Sequence, residues 1–304
     1  MSTSVRQTRR PLSVIGLSVA ATVVISSLVA APAQAVKTPS CSTNYTAAHA
    51  KTCIRIASAA FTSAWKSSLT KHNKSTKKAH IVAWTAFPTN PCISSGEGDV
   101  AVASFYCDKN RTVYMAAGAA KYWTKTYAKY TKKSIVKKDA KAAHVTLATM
   151  KKGYATQGYA TELAHEYGHA MQDRLGVFDF YQNKINETST WEEQTALAAG
   201  IEVGADCLAG WSLSRASVRG KLRMTQFAKW ASRATIAELG AGVATNYPFI
   251  YPMEEPSPQG HSNSYWRLKS FNYGMSIGKT RADGMAGCVN KVASWANIPV
   301  PPGF

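Results

Sequence analysis

Apolar residues along this chain recur mainly at three- and four-residue steps, which is the period of an amphipathic helix. Residues 54–69 follow this spacing closely, and a basic turn over 71–78 ends the helix that they predict. Gly176 fits the position just after a helix end, while Thr190 and Glu193 offer a capping box for a following helix. Helices are therefore predicted over 54–69, 121–133, 159–175, 191–214, 224–239 and 266–275.

A second pattern, rich in β-branched and aromatic residues, predicts three short strands. These strands cover 80–87, 100–107 and 111–116. A turn at 108–110 joins the last two. The basic stretch 137–152 is interpreted as a variable insertion, 177–190 as polar and irregular, and 299–304 as a surface tail. Many helices with one small sheet indicate a mainly helical α+β fold.

The start of the chain has the features of an export signal. Three arginines precede an apolar run over 12–31, and an A-x-A pattern occupies 33–35. We therefore predict a signal peptide over 1–35, a single domain over 36–304 and a secreted protein. An uncleaved membrane anchor is the less favoured alternative, and no stable membrane insertion is expected after cleavage.

Charge and composition narrow the possible surroundings of the exported part. The formal charge is +19, and removing the three leader arginines leaves +16, which favours anionic partners such as cell-envelope polymers. Aromatic residues and lysines alternate over 121–133, but helical spacing separates them into two stripes, as in a helix with one solvated face. No nucleic-acid partner is expected, because export and disulfides place the protein away from nucleic acid.

All six cysteines follow the predicted leader, and an even number in an exported chain suggests three disulfides. Fifteen pairings are possible. Free, buried cysteines are the alternative to pairing. Among the pairings we favour the sequential set, which is Cys41–Cys53, Cys92–Cys107 and Cys207–Cys288.

The segment that predicts chemistry has the order H-E-x-x-H, formed by His165, Glu166 and His169. Residues four apart lie on the same face of a helix, so both imidazoles can bind one metal ion. Glu166 is then placed to act as the general base towards a water on that ion. A solvated histidine and glutamate face is the alternative interpretation of this segment.

A third ligand is supplied by an E-x-x-A-D pattern further along the chain. Glu202 lies thirty-three residues after His169 in another helical stretch and is the candidate ligand. Asp206, one turn later, is expected to accept the free ring N–H of a ligand histidine. Zinc is the expected ion, although similar sites also bind manganese or cobalt.

Three motifs together resemble the bacterial neutral zinc metallopeptidase family. They are FYCDKNRTVY at 105–114, HEYGHAMQ at 165–172 and EVGADCLAGW at 202–211. The similarity covers about residues 53 to 288 and implies a zincin-like metalloprotease core with a small sheet above the metal helix. An edge of that sheet would hold an extended peptide, and residues 113–115 are our candidate for that edge.

The same resemblance suggests a second catalytic residue. Related sequences carry a histidine near a glycine, with an arginine shortly after it, and His261 and Arg267 match this arrangement imperfectly. His261, Tyr265 or Tyr167 is expected to donate a hydrogen bond to the oxyanion, while loop packing is the alternative role of His261. The chain departs from the family at Ala170, where a further histidine is frequent.

The sequence therefore favours a secreted zinc metalloendopeptidase that acts on peptide or protein substrates with Glu166 as general base. The alternative is a non-enzymatic cell-envelope protein that keeps a zincin-like fold for binding or structure. An intact Glu166 favours the enzyme, because a purely structural metal needs no base beside it.

Overall fold

Long helices and one small sheet make up the described part of the chain. The computed structural model describes residues 47–84, 91–92, 104–118, 133–142, 146–218 and 264–304. Its helices are α1 (Ala47–Lys71), α2 (Lys133–Ala142), α3 (Leu147–Arg174), α4 (Val177–Glu187), α5 (Trp191–Val218), α6 (Ser264–Ile277) and α7 (Gly284–Ala296). Its strands are β1 (His80–Trp84), β2 (Phe105–Cys107) and β3 (Thr112–Ala116). The predicted α+β fold is confirmed, whereas the leader and the predicted helix over 224–239 lie outside these residues.

Helix α5 is the central element against which α3, α6 and α7 pack. By length and composition its residues 191–216 qualify as a membrane span, but 89% of the apolar window is buried inside the protein, as in the core helix of a soluble fold. Helix α1 packs against α5 through Trp65, whose ring lies edge-on to that of Trp211 with 4.8 Å between the ring centroids. The indole N–H of Trp65 also donates to the Ser212 hydroxyl at 2.8 Å. Buried aromatic packing therefore fixes the helix that carries Glu202.

The sheet has the strand order β1-β3-β2, with β3 parallel to β1 and antiparallel to β2. Every residue of β3 is buried, and both of its edges are paired. The prediction that residues 113–115 offer a free edge to a peptide is therefore wrong, because pairing with β1 is a long-range contact. Strand β2 is fastened to α3 by the Tyr106 hydroxyl, which donates to Asp173 at 2.6 Å.

Two of the three predicted disulfides are confirmed. Cys92 bonds Cys107 with an S–S distance of 2.09 Å, and Cys207 bonds Cys288 at 2.01 Å. The second bond joins α5 to α7 directly beside Asp206. The predicted pair Cys41–Cys53 lies outside the described side chains.

The metal helix is longer than predicted, because α3 begins at Leu147 rather than at about 159. Its end is as predicted, since Gly176 has a φ of 79° and donates its N–H to Asp173. The stretch 137–152, interpreted as an insertion, contains the end of α2 and the start of α3. Glycines at 153 and 158 lie inside this helix, where each costs only about 1 kcal/mol.

Three other segments are more ordered than the sequence suggested. Residues 177–190 include α4, whose Val177 and Tyr181 are one turn apart and buried. Helix α7 follows the predicted last helix, with Asp283 as its N-cap. The tail packs as well, because the ring of Phe304 stacks on that of His72 at 4.9 Å.

Candidate metal centre

Three side chains from two helices converge on one point. His165 and His169 lie four residues apart on α3, and Glu202 reaches them from α5. The Nε2 atoms of the two histidines are 3.1 Å apart. Glu202 places Oε2 at 3.2 Å from Nε2 of His165 and Oε1 at 3.4 Å from Nε2 of His169. The structure therefore brings together the three residues predicted as ligands.

Outer hydrogen bonds determine which ring nitrogens face this point. Nδ1 of His165 lies 2.9 Å from Oδ1 of Asp206, as predicted, and Nδ1 of His169 lies 2.9 Å from Oε1 of Gln172. Both oxygens are acceptors, so each Nδ1 carries the ring hydrogen and donates it. When both rings are neutral, their Nε2 lone pairs point at each other and at the Glu202 carboxylate.

The donor set fits a tetrahedral cation. Two nitrogen lone pairs and a carboxylate within 3.4 Å of one another repel unless a proton or a cation lies between them. With metal–ligand bonds of about 2.0–2.1 Å, tetrahedral ligands are spaced about 3.4 Å apart. His165, His169 and Glu202 are thus suited to hold zinc, with a fourth position left for water or substrate.

A charged pair lies behind His165. Arg267 on α6 donates to the Asp206 carboxylate from Nε at 2.7 Å and from Nη2 at 3.0 Å. Burial by itself raises the pKa of Asp206, but the charges of Arg267 and His165 lower it from 3.8 to about 2. Asp206 is therefore an anion at neutral pH, which fixes both the tautomer and the orientation of the His165 ring.

The metal-free site attracts positive charge. Burial lowers the pKa of His165, but Asp206, Glu202 and Glu166 raise it well above its ordinary value of 6.5. The metal-free protein therefore holds an additional proton at His165 near neutral pH. A bound cation takes the place of that proton, because a ligand histidine must be neutral.

One comparison with known proteins supports this interpretation. The family described as "Putative neutral zinc metallopeptidase" matches residues 143–282. This region is similar to that family. No curated protein and no solved structure matches the chain. The matched region contains every residue of the metal centre, so zinc is the ion that the metallopeptidase family implies.

Glu166 lies beside the candidate ligand His165. Its side chain is only 7% exposed, and its negative charge contributes to the raised pKa of His165. Its role as general base stays a prediction.

The predicted oxyanion donors have different outcomes. His261 and the side chain of Tyr265 lie outside the described part of the chain, so their roles stay predictions. Tyr167 lies on the opposite face of α3 from the ligands, and its hydroxyl is 2.9 Å from that of Thr62 on α1. Its prediction as an oxyanion donor is therefore wrong, and Tyr167 packs in the core.

Two residues of the metallopeptidase site received no role from the sequence. Gln172 belongs to the HEYGHAMQ motif, and its position three residues after His169 places it on the same face of α3. Arg267 was noted only as a family match. It lies sixty-one residues after Asp206, and no spacing rule connects the two.

Proposed function

We propose that this protein is a secreted zinc-dependent endopeptidase, with His165, His169 and Glu202 as ligands and Glu166 as general base. The convergence of two Nε2 atoms and one carboxylate within 3.4 Å carries the proposal. The family match over residues 143–282 supports the metal and the class of reaction.

Bound zinc would lower the pKa of a coordinated water towards neutrality and polarise the carbonyl of the scissile peptide. Glu166 accepts the proton of the attacking water and transfers it to the leaving amine. Because Glu166 is buried, few water molecules compete for its carboxylate.

The outer residues keep the ligands in one state during turnover. Asp206 holds the hydrogen on Nδ1 of His165, and the two hydrogen bonds from Arg267 keep that carboxylate ionised. Both imidazoles thereby stay neutral at Nε2, where they must donate a lone pair. A side chain from outside the described residues, such as His261, would supply the oxyanion donor.

Export is the second part of the proposal. The arginines before an apolar run and the A-x-A pattern at 33–35 favour secretion, and two disulfides in the described chain fit an oxidising compartment. The charge of +16 in the exported part favours anionic envelope polymers as the surroundings, with peptides or proteins as substrates.

Glu166→Gln tests the enzymatic part directly. The variant should bind zinc as the wild type does, while hydrolysis of a peptide library with blocked termini falls at least about 100-fold. Blocked termini restrict the assay to endopeptidase cleavage. If the zinc-loaded wild type cleaves neither this library nor unfolded proteins, the enzymatic assignment is lost, and a binding or structural role for the zinc site takes its place.

A further inference from the structure

Gln172 connects the two helices that carry the metal ligands. Its Oε1 lies 2.9 Å from Nδ1 of His169, and its Nε2 donates to the backbone carbonyl of Ile201 at 3.0 Å. We propose that Gln172 is a positioning residue that sets zinc affinity by fixing the His169 ring and holding it in register with Glu202. This inference rests on the zinc site of the proposed function.

The amide orientation of Gln172 follows from its partners. A carbonyl oxygen accepts only, so the group that faces Ile201 must be the NH₂ of Gln172, and the oxygen must face His169. That oxygen holds the ring hydrogen of His169 on Nδ1. Without it the hydrogen moves to Nε2, and an Nε2 that carries hydrogen has no lone pair for a metal.

Water does not replace this amide. Gln172 is 1% exposed and His169 is 6% exposed, so both lie beneath the protein surface. A buried N–H that loses its acceptor is strongly disfavoured, which promotes rotation of the ring or relocation of its hydrogen. The orientation of His169 therefore depends on Gln172 itself.

The second hydrogen bond gives Gln172 a role beyond the tautomer. Ile201 immediately precedes Glu202 on α5. The two hydrogen bonds of the amide therefore hold His169 at a fixed distance from the segment that carries the third ligand. Gly204 makes room for this bridge, because a Cβ added there would lie 2.7 Å from Nε2 of Gln172. Close contact with the metal helix thus explains why glycine occupies position 204 of the E-x-x-A-D motif.

The test compares Gln172→Met with Gln194→Met. Methionine keeps the length of the side chain and removes both amide groups. Gln194 is the matched control, since its Nε2 also donates to a carbonyl, that of Thr188 at 3.0 Å, at the start of the same helix α5. Zinc affinity is measured by competition with a chelator, and the His169 tautomer in the metal-free protein by ¹⁵N NMR of the ring.

We expect Gln172→Met to weaken zinc binding about 10- to 100-fold, and Gln194→Met to leave it unchanged. The NMR spectrum of Gln172→Met should show hydrogen on Nε2 of His169. Gly204→Ala keeps every polar group but displaces the amide, so it should weaken zinc binding in the same direction even if Gln172→Met folds poorly.

Wild-type zinc affinity in both Gln172→Met and Gly204→Ala overturns the inference while the proposed function stands. Equal losses in Gln172→Met and Gln194→Met also overturn it, since they indicate general destabilisation. If the wild type binds zinc without hydrolysing peptides, the proposed function fails, and the affinity comparison still decides the role of Gln172. A wild type that binds no zinc overturns both.

Discussion

Arg267 and the buried Asp206 form an ion pair in which the guanidinium donates two hydrogen bonds, at 2.7 and 3.0 Å, to one carboxylate. The same carboxylate accepts from His165, so a single anion joins α6, α5 and α3 at the metal centre. Arg267 therefore influences the candidate ligand His165 through the carboxylate that the two residues share.

Replacing Arg267 with Met is expected to lower the free energy of unfolding by about 3 kcal/mol, since the buried Asp206 carboxylate loses two hydrogen bonds and keeps only His165 as a partner. It should also weaken zinc binding, because the pKa of Asp206 rises and its hold on His165 loosens. Lys184→Met is the control, because the pair that it removes, with Glu187, is exposed and contributes less than about 1 kcal/mol. Denaturant unfolding and chelator competition provide the measurements, and equal losses in the two variants would contradict the buried pair's role.

Zinc should stabilise the folded protein in proportion to its affinity. At a free zinc concentration 100 times Kd, the gain is about 2.7 kcal/mol, and a chelator removes it. Thermal unfolding with and without chelator measures the shift. The double variant His165→Ala, His169→Ala should show no shift, and a wild-type Tm that is insensitive to the chelator would argue against the metal site.

The raised pKa of His165 predicts how the metal-free protein responds to rising pH. The stability from its added proton is fully present below the ordinary pKa of 6.5 and is lost as pH rises through the higher folded pKa. Zinc-bound protein lacks this loss, because its histidines are already neutral. Denaturant unfolding at pH 6 to 9 measures the stability of the metal-free and the zinc-bound protein. If the two stability curves run parallel over this pH range, the prediction is contradicted.

The lowered pKa of Asp206 predicts that the folded protein loses stability in acid. Its pKa is lowered to about 2, so its contribution is present above its ordinary pKa of 3.8 and is lost as pH falls through about 2. Asp206→Asn removes this charge and should flatten the stability curve between about pH 5 and pH 2. An unchanged acid transition in the variant would show that other carboxyl groups determine it.

The disulfides should differ in their contributions. Cys207–Cys288 closes a loop of 81 residues, and Cys92–Cys107 one of 15, so chain entropy predicts about 4.5 and about 3 kcal/mol respectively. Paired alanine substitutions followed by denaturant unfolding test the order. Only the loss of Cys207–Cys288 is expected to affect zinc affinity as well, since Cys207 directly follows Asp206.

Local patterns predicted the metal helix and its ligands because a helix converts spacing directly into geometry. His165 and His169 need only the helical period to meet, and Gly176 ends their helix through its own backbone. The E-x-x-A-D motif supplied Glu202 and Asp206, although only the fold brings them against α3.

The remaining features depend on contacts between distant segments. Gln172 finds its partner at Ile201 through the packing of α3 on α5, and Arg267 meets Asp206 only once α6 is in place. The central position of β3 likewise depends on β1 pairing with it across twenty-seven intervening residues. Such partners leave no periodic signal in the sequence.

The three candidate ligands all lie within long helices instead of loops. An arriving ion therefore meets donors that are already oriented, and the chain gives up little conformational freedom when it binds. Metal exchange at such a centre should leave the backbone unchanged and should depend mainly on competition between protons and cations for the same lone pairs.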